Sequence, residues 1–378
     1  MLSTYTTLKY CVIEDKRLAY TYWVLLVLVI MYGFFAIISE RSYLEKDNIE
    51  GLLLPRLQRT RASHTKDKLA SFPSYCGTEN AECLFLDHFQ VLYPLNEDNA
   101  LTVTTSITNS PQSRNCDSHG KGCNKRIFSG SKANWKYLYP LAVENFTIYV
   151  HHEIQAPHFF TLYPAERSTW HKAAHNMHGT MVNQLGQEVA VFDNPAWKED
   201  GIQIWELLAA AGIKDGSLDA INEGVHDPFM RALGPNGTVR YRDSGCIIYI
   251  VLEYTNIPES LLSFDFSQIR YRYRVQVVPH SGFYRQEVIL EKNDFDTSER
   301  LIRNRRGVYI KFVQAGVLGR FNLVNLIVTI ATIFGLIGIS TSVVDALAEY
   351  VIPNVRELFP KVRYESVKLE KSKKNKKT

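Results

Sequence analysis

The sequence predicts an integral membrane protein of the α+β class, with two membrane-spanning helices flanking one large β-rich, disulfide-containing ectodomain. Three observations carry that prediction. The 378-residue chain holds two long uncharged apolar runs, one near each end. Between them lie Cys76, Cys83, Cys116, Cys123 and Cys246, with only Cys11 outside. The same middle region is rich in short segments of β-branched and aromatic residues, the composition of strands. The averages conceal this division. A content of 46% hydrophobic and 22% charged residues is ordinary for a soluble protein. It excludes long disorder and a polytopic transporter, but not two spans.

In chain order, residues 1–17 form a cytoplasmic leader. Residues 18–39, LAYTYWVLLVLVIMYGFFAIIS, form the first span. A bilayer crossing needs about 20 apolar residues as a helix. A cleaved signal peptide has a shorter apolar stretch and a small-residue cleavage site, whereas this run ends in aromatics and Ile37–Ile38. Residues 40–320 form the ectodomain. Residues 321–344, FNLVNLIVTIATIFGLIGISTSVV, form the second span, and a basic tail follows over 345–378.

Charge sets the orientation. The segment after residue 350 holds nine Lys or Arg against three acids, and positive flanks stay cytoplasmic. Two spans then place both termini in the cytoplasm. The formal net charge of +4 resolves into a strongly basic tail and a slightly acidic remainder. It gives no reason to expect nucleic acid, although the tail's lysines suit anionic membrane lipid.

Within the ectodomain, VENFTIYVHHEI, CIIYIVLEYT, IRYRYRVQVV, FYRQEVILEK and RRGVYIKFV read as strands. IRYRYRVQV alternates, which predicts one wet, basic face. IQIWELLAAAG reads as a helix, and the polar stretch from Lys214 to Arg242 as an inserted loop. Cys76, Cys83, Cys116 and Cys123 suit two disulfides in an oxidising compartment, with three connectivities open. They lack the C-x-x-C spacing of a zinc site. Cys246, inside an apolar strand, reads as a buried free thiol. Asn145 and Asn236 head glycosylation acceptor triplets.

The second span is too polar for a plain anchor. At helical spacing Asn325, Thr329 and Thr332 share one face, and Gly335, Gly338, Ser342 and Asp345 share another. A bend at Gly335 would align the two as one stripe. Polar groups in hydrocarbon need protein or water as partners. The stripe therefore reads as the lining and gate of a pore formed by several copies.

These residues also carry a family resemblance. Tyr5-Thr-Thr7-Leu-Lys9, Ser42-Tyr43-Leu-Glu45, Thr65-Lys66-Asp-Lys68 and Glu144-Asn-Phe-Thr147 match motifs of the P2X receptors in order. So do the block from Gly307 to Gly319-Arg320-Phe321-Asn322, where the family motif ends G-K-F-D, and then Gly338. Tyr364-Glu-Ser-Val-Lys368 fits the last motif, further from the membrane than usual. The chain thus resembles the P2X receptors, which are trimeric ATP-gated cation channels.

The resemblance implies a homotrimer with ATP as gating ligand and Na⁺, K⁺ and Ca²⁺ as permeant ions. No cofactor and no enzymatic activity are implied. Lys66 and Lys68 fall on the lysines that hold the ATP phosphates, and Thr147 on the threonine that meets adenine. Gly282-Phe-Tyr-Arg285 stands where the family has N-F-R, so the resemblance assigns Arg285 to phosphate. The last phosphate lysine falls on Asn304, with Arg303 and Arg305 flanking it as substitutes; Arg270 and Arg272 are a less favoured alternative to Arg285. Five ectodomain cysteines are fewer than the family carries, so the bridged region is altered. The membrane of residence is the plasma membrane or that of an intracellular vacuole.

Two other classes compete. An acid-sensing or epithelial sodium-type channel has the same topology but lacks the K-x-K and E-N-F-T elements. A membrane-anchored ectoenzyme would need a catalytic signature such as G-x-S-x-G or H-E-x-x-H, and none is present. His171, His175 and His178 share a helical face and form a weak metal candidate. The simpler reading of the three is an exposed amphipathic turn.

Overall fold

A computed structural model describes residues 15–59, 76, 81–113, 128–162, 177–192, 199–225, 238–260, 263, 265–289 and 299–352. The chain divides into two compact units. One holds the two long helices with residues 259–264, and the other holds residues 46–258 and 265–319.

The membrane unit contains helices Lys16–Phe34 and Leu323–Tyr350. Both are long and apolar enough to cross a membrane. Asp15 caps the first, its carboxylate accepting from the backbone N–H of Arg17 and Leu18. The first helix ends in a wider π turn over Phe35–Ser39. The second is helical straight through Gly335. The two run antiparallel: Leu18 packs with Ala348, and Gly33 lies against the Ile333 side chain. A Cβ on Gly33 would meet Ile333 at 2.8 Å. Outward-facing Trp23, Met31, Phe34, Val324, Ile327 and Phe334 are exposed. That exposure separates these helices from the core helix of a soluble protein.

The ectodomain unit is built on strands. They are β1 (Leu44–Asn48), β2 (Glu50–Arg59), β3 (Ala81–Leu84), β4 (Ala100–Ser113), β5 (Lys136–Pro140), β6 (Phe146–Gln155) and β7 (His178–Val182). After these come β8 (Glu188–Phe192), β9 (Asp200–Gln203), β10 (Cys246–Thr255), β11 (Arg270–Val277), β12 (Tyr284–Ile289) and β13 (Glu299–Phe321). Among the described residues the main sheet runs β3-β5-β4-β13-β10-β11-β7-β8, with β1 and β12 also paired to β13. A second sheet runs β2-β6-β9.

β13, 23 residues long, is the spine of the main sheet. Its Val308, Ile310 and Phe312 are buried beside Cys246, Ile248 and Ile250 of parallel β10. Gly307 lies where the register with β4 shifts; a Cβ there would sit 2.0 Å from the Val103 carbonyl oxygen. The alternation expected of IRYRYRVQV is present. Tyr271, Tyr273 and Val275 are buried while Arg272 and Arg274 are exposed.

A polar hub joins the two sheets. Asp200 on β9, 2% exposed, accepts from the Tyr271 hydroxyl at 2.6 Å and the Tyr273 hydroxyl at 2.8 Å. His152 Nε2 on β6 lies 3.3 Å from the same carboxylate. Burial raises the Asp200 pKa, but the bonds from His152, Tyr271 and Tyr273 outweigh it and leave the value below the ordinary carboxylate range.

Two readings of the sequence change here. The stretch from Lys214 to Arg242 is not an extruded loop where it is described. Leu218 is fully buried, Asn222 nearly so, and Arg240 and Arg242 are buried among Asp219, Asp243 and Glu144. Its polar residues pair with one another, which allows them inside. Burial raises the carboxyl pKa of Asp243, against the opposing effects of Arg240 and Tyr139. The expected helix at IQIWELLAAAG is Ile204–Ala210, because Ile202 and Gln203 belong to β9.

Candidate functional site

The β12–β13 hairpin brings together the predicted phosphate arginines. The strands are antiparallel, with Arg285 opposite Arg305, Gln286 opposite Asn304 and Glu287 opposite Arg303. Directly paired residues lie on the same face of a sheet, and neighbours along a strand alternate faces. Arg285, Arg303 and Arg305 therefore share one face with Glu287. Asn304 is on the other face, opposite Gln286 and Thr108. Strict register had pointed to Asn304, but strand geometry groups its two neighbours with Arg285.

Each guanidinium is held. Arg285 forms an ion pair with Glu97 and lies 5.4 Å over the Phe283 ring. Its Nε is shielded and has no acceptor among the described residues. Arg305 sits 3.4 Å from the Glu287 carboxylate, donates to the Gln90 carbonyl at 3.1 Å and stacks 4.7 Å over Tyr93. Arg303 is 3.7 Å from Glu287 and donates to Asn109 at 3.2 Å. Phe283 stacks on Tyr309 at 4.7 Å, which gives this face a flat apolar neighbour. The Tyr309 hydroxyl is pushed above its ordinary pKa by burial and by Glu97, with Arg285 opposing.

Three arginines against two carboxylates leave an excess of positive charge on a sheet face. Such a cluster suits a multiply charged anion, because the guanidinium fork matches phosphate oxygens. Glu97, Glu287 and Tyr93 were not singled out in the sequence. Glu287 is two residues beyond Arg285 on one strand, so period-two reading would have found it. Glu97 and Tyr93 are far from Arg285 and Arg305 in sequence, and no local signal marks them.

Thr147 is buried at the start of β6 in the second sheet, opposite Gln58 of β2 and Gln203 of β9, whereas the arginine hairpin belongs to the main sheet. Phe146 beside it is fully buried core. Lys66, Lys68, Thr7, Lys9, Tyr364 and Lys368 lie outside the described residues. So do Cys116, Cys123, Asn236, His171 and His175. Cys76 and Cys83 form a disulfide. Cys246 is a buried free thiol, as its strand context indicated, and burial pushes its pKa up to about 12. Asn145 is exposed on a 3₁₀ turn, where a glycan has room. His178 is exposed on β7 rather than on a helix, and no group of three potential metal ligands exists among the described residues. Arg270 and Arg272 lie on β11, two strands from β13 and apart from the hairpin cluster.

In the membrane unit, the residues read as pore-lining separate into two sets. Asn325 donates to the Leu44 carbonyl at 3.3 Å, and Thr329 reaches the Ser42 hydroxyl at 3.2 Å. Thr332, Gly335, Gly338 and Ser342 lie on the exposed side, and both glycines border open space. Asp345 is half-buried near the helix end.

Fold and residues define a two-span membrane protein with a β-rich ectodomain and a cationic strand face. No protein-family model matches the chain. Curated relatives do match, over nearly its full length. P2X receptor C of Dictyostelium discoideum is 26% identical over 381 residues, covering 98% of this chain and 93% of the relative. P2X receptor B of the same organism is 24% identical over 377 residues, with the same coverage. Among solved structures, an invertebrate P2X receptor from the Gulf Coast tick, crystallised with ATP and Zn²⁺, superposes with a TM-score of 0.49 at 13% identity. That superposition covers 86% of this chain and 99% of that one. The chain is thus similar to P2X receptors over nearly its full length, at 24–26% identity.

Proposed function

We propose that the chain is an ATP-gated, non-selective cation channel that works as a homotrimer. The observation that carries the reading is the shared face of Arg285, Arg303 and Arg305 in a chain whose relatives are P2X receptors. ATP binds between neighbouring copies. Lys66, Lys68 and Thr147 come from one copy, and the arginine hairpin from the next. An empty cluster of cations repels itself. A polyanion that binds the closed-up cleft better than the open one shifts the conformational equilibrium. β13 carries Arg303 and Arg305 and runs in sequence to Phe321; the second helix begins at Leu323. Strain on that strand thus reaches the helix through the chain itself.

Thr332, Gly335, Gly338 and Ser342 line the path for Na⁺, K⁺ and Ca²⁺. Asn325 and Thr329 anchor the helix instead, on the strength of their bonds to residues 42–44. Both termini face the cytoplasm, and the ectodomain faces the cell exterior or a vacuole lumen. Asn145 and Asn236 carry the glycans.

Patch-clamp recording tests the assignment. Lys68→Ala is expected to lose most ATP-evoked current at concentrations that saturate the wild type. Current at wild-type potency removes Lys68 from the site. A second outcome follows from the ion pairs. ATP phosphates compete with Glu97 for Arg285 and with Glu287 for Arg303 and Arg305. Glu97→Gln and Glu287→Gln should each lower the half-maximal ATP concentration by about threefold to tenfold, as expected for a partly exposed ion pair. A dose–response curve unmoved by both changes would show that these carboxylates do not compete.

A further inference from the structure

We infer that Asn322 is a positioning residue: its bond to Glu45 fixes the start of the second helix and sets the shut–open equilibrium. This rests on the channel reading above. Both ends of the Asn322 amide are used. Its carbonyl oxygen caps the helix, accepting from the backbone N–H of Val324 at 2.8 Å and of Asn325 at 3.4 Å. Its Nδ2 donates to the Glu45 carboxylate at 2.9 Å. Its backbone N–H donates to the Tyr43 carbonyl at 3.0 Å.

The attachment continues along the helix. Phe321 lies 6.0 Å from the Tyr43 ring, Asn325 holds the Leu44 carbonyl, and Thr329 meets the Ser42 hydroxyl. Contacts from 321 to 329 therefore track back along 45 to 42, so the helix cannot tilt or slide there without breaking several at once. The Asn322–Glu45 bond is the charge-assisted one among them, and bonds to ionised groups are the stronger class. Asparagine is the side chain that both caps and donates. Aspartate caps equally well but has no donor. The matching family motif ends in aspartate, so the donor belongs to this chain.

The test is a double-mutant cycle read as ATP-evoked current and as current without ATP. Asn322→Asp keeps the cap but sets a carboxylate against Glu45. It should lower the half-maximal ATP concentration about tenfold and raise the ATP-independent current. Adding Glu45→Gln returns a donor from the opposite side, and the pair should come back to within about threefold of wild type. Glu45→Ala leaves the cap untouched and should shift in the same direction as Asn322→Asp, which covers the case of a variant that fails to reach the membrane. Wild-type curves for Asn322→Asp and Glu45→Ala, or strictly additive effects in the cycle, overturn the inference alone. A wild-type protein at normal membrane density without ATP-evoked current overturns the channel reading, and this inference with it.

Discussion

Arg305→Ala is expected to raise the half-maximal ATP concentration about 100-fold or more without reducing the amount of protein in the membrane. Three features single out this arginine. It lies directly opposite Arg285, so its loss halves the central pair of the cationic face. It is held by the Gln90 carbonyl and the Tyr93 ring, so its guanidinium is placed before ligand arrives. Preplacement limits the ordering cost of binding. Truncating one partner of a desolvated, hydrogen-bonded charge pair costs about 2–5 kcal/mol, and each 1.4 kcal/mol is tenfold. Arg305→Lys should recover only part of the loss, because an ammonium group cannot reproduce the two-pronged contact. Concentration–response curves normalised to surface protein check this. Equal loss in Asn304→Ala would contradict the assignment by strand face.

The second large effect is on the body of the ectodomain. Asp200→Ala should cost about 3–5 kcal/mol and leave little folded protein. It strips the acceptor from two fully or nearly buried tyrosine hydroxyls and the partner from His152. Tyr254 and Tyr271 pack against the same imidazole, so rings line the hub closely. Asp200→Asn keeps the volume and should be milder. The direction of the Asp200 pKa adds a pH signature. Its folded value is below the unfolded one, so its stabilisation is complete above about pH 4 and is lost as pH falls through the folded value. Unfolding of the purified full chain followed against pH should show that acid limb in wild type and a weaker one in Asp200→Asn. An identical acid limb in both proteins would rule out Asp200 as its source.

What could be read in the sequence follows physical lines. The two long helices were plain because uncharged runs of that length have few alternatives in water. β11 was plain because alternation survives when one face is wet. β4 was not. ALTVTTSITNSPQS looks like a polar linker, yet it is a 14-residue strand buried through most of its length between β13 and β5. Two of its buried threonine hydroxyls find acceptors: Thr102 donates to the Glu97 carboxylate and Thr105 to the Arg242 carbonyl. The candidate site was half legible. Arg285, Arg303 and Arg305 came from a resemblance in motif order, but nothing local chose between Asn304 and its neighbours. Which of them shares a face with Arg285 is given by the register of β12 on β13. Glu97 needed the same three-dimensional information, since 188 positions separate it from Arg285.

The central claim is that this chain forms a cation pore opened by ATP on its ectodomain side. The purified full chain in a planar bilayer tests it most directly, first with ATP at neutral pH and then with an acid step without ATP. The account predicts cation-selective unit currents on addition of ATP and none from the acid step alone. A bilayer that stays silent to ATP, or opens to acid without it, would contradict the account.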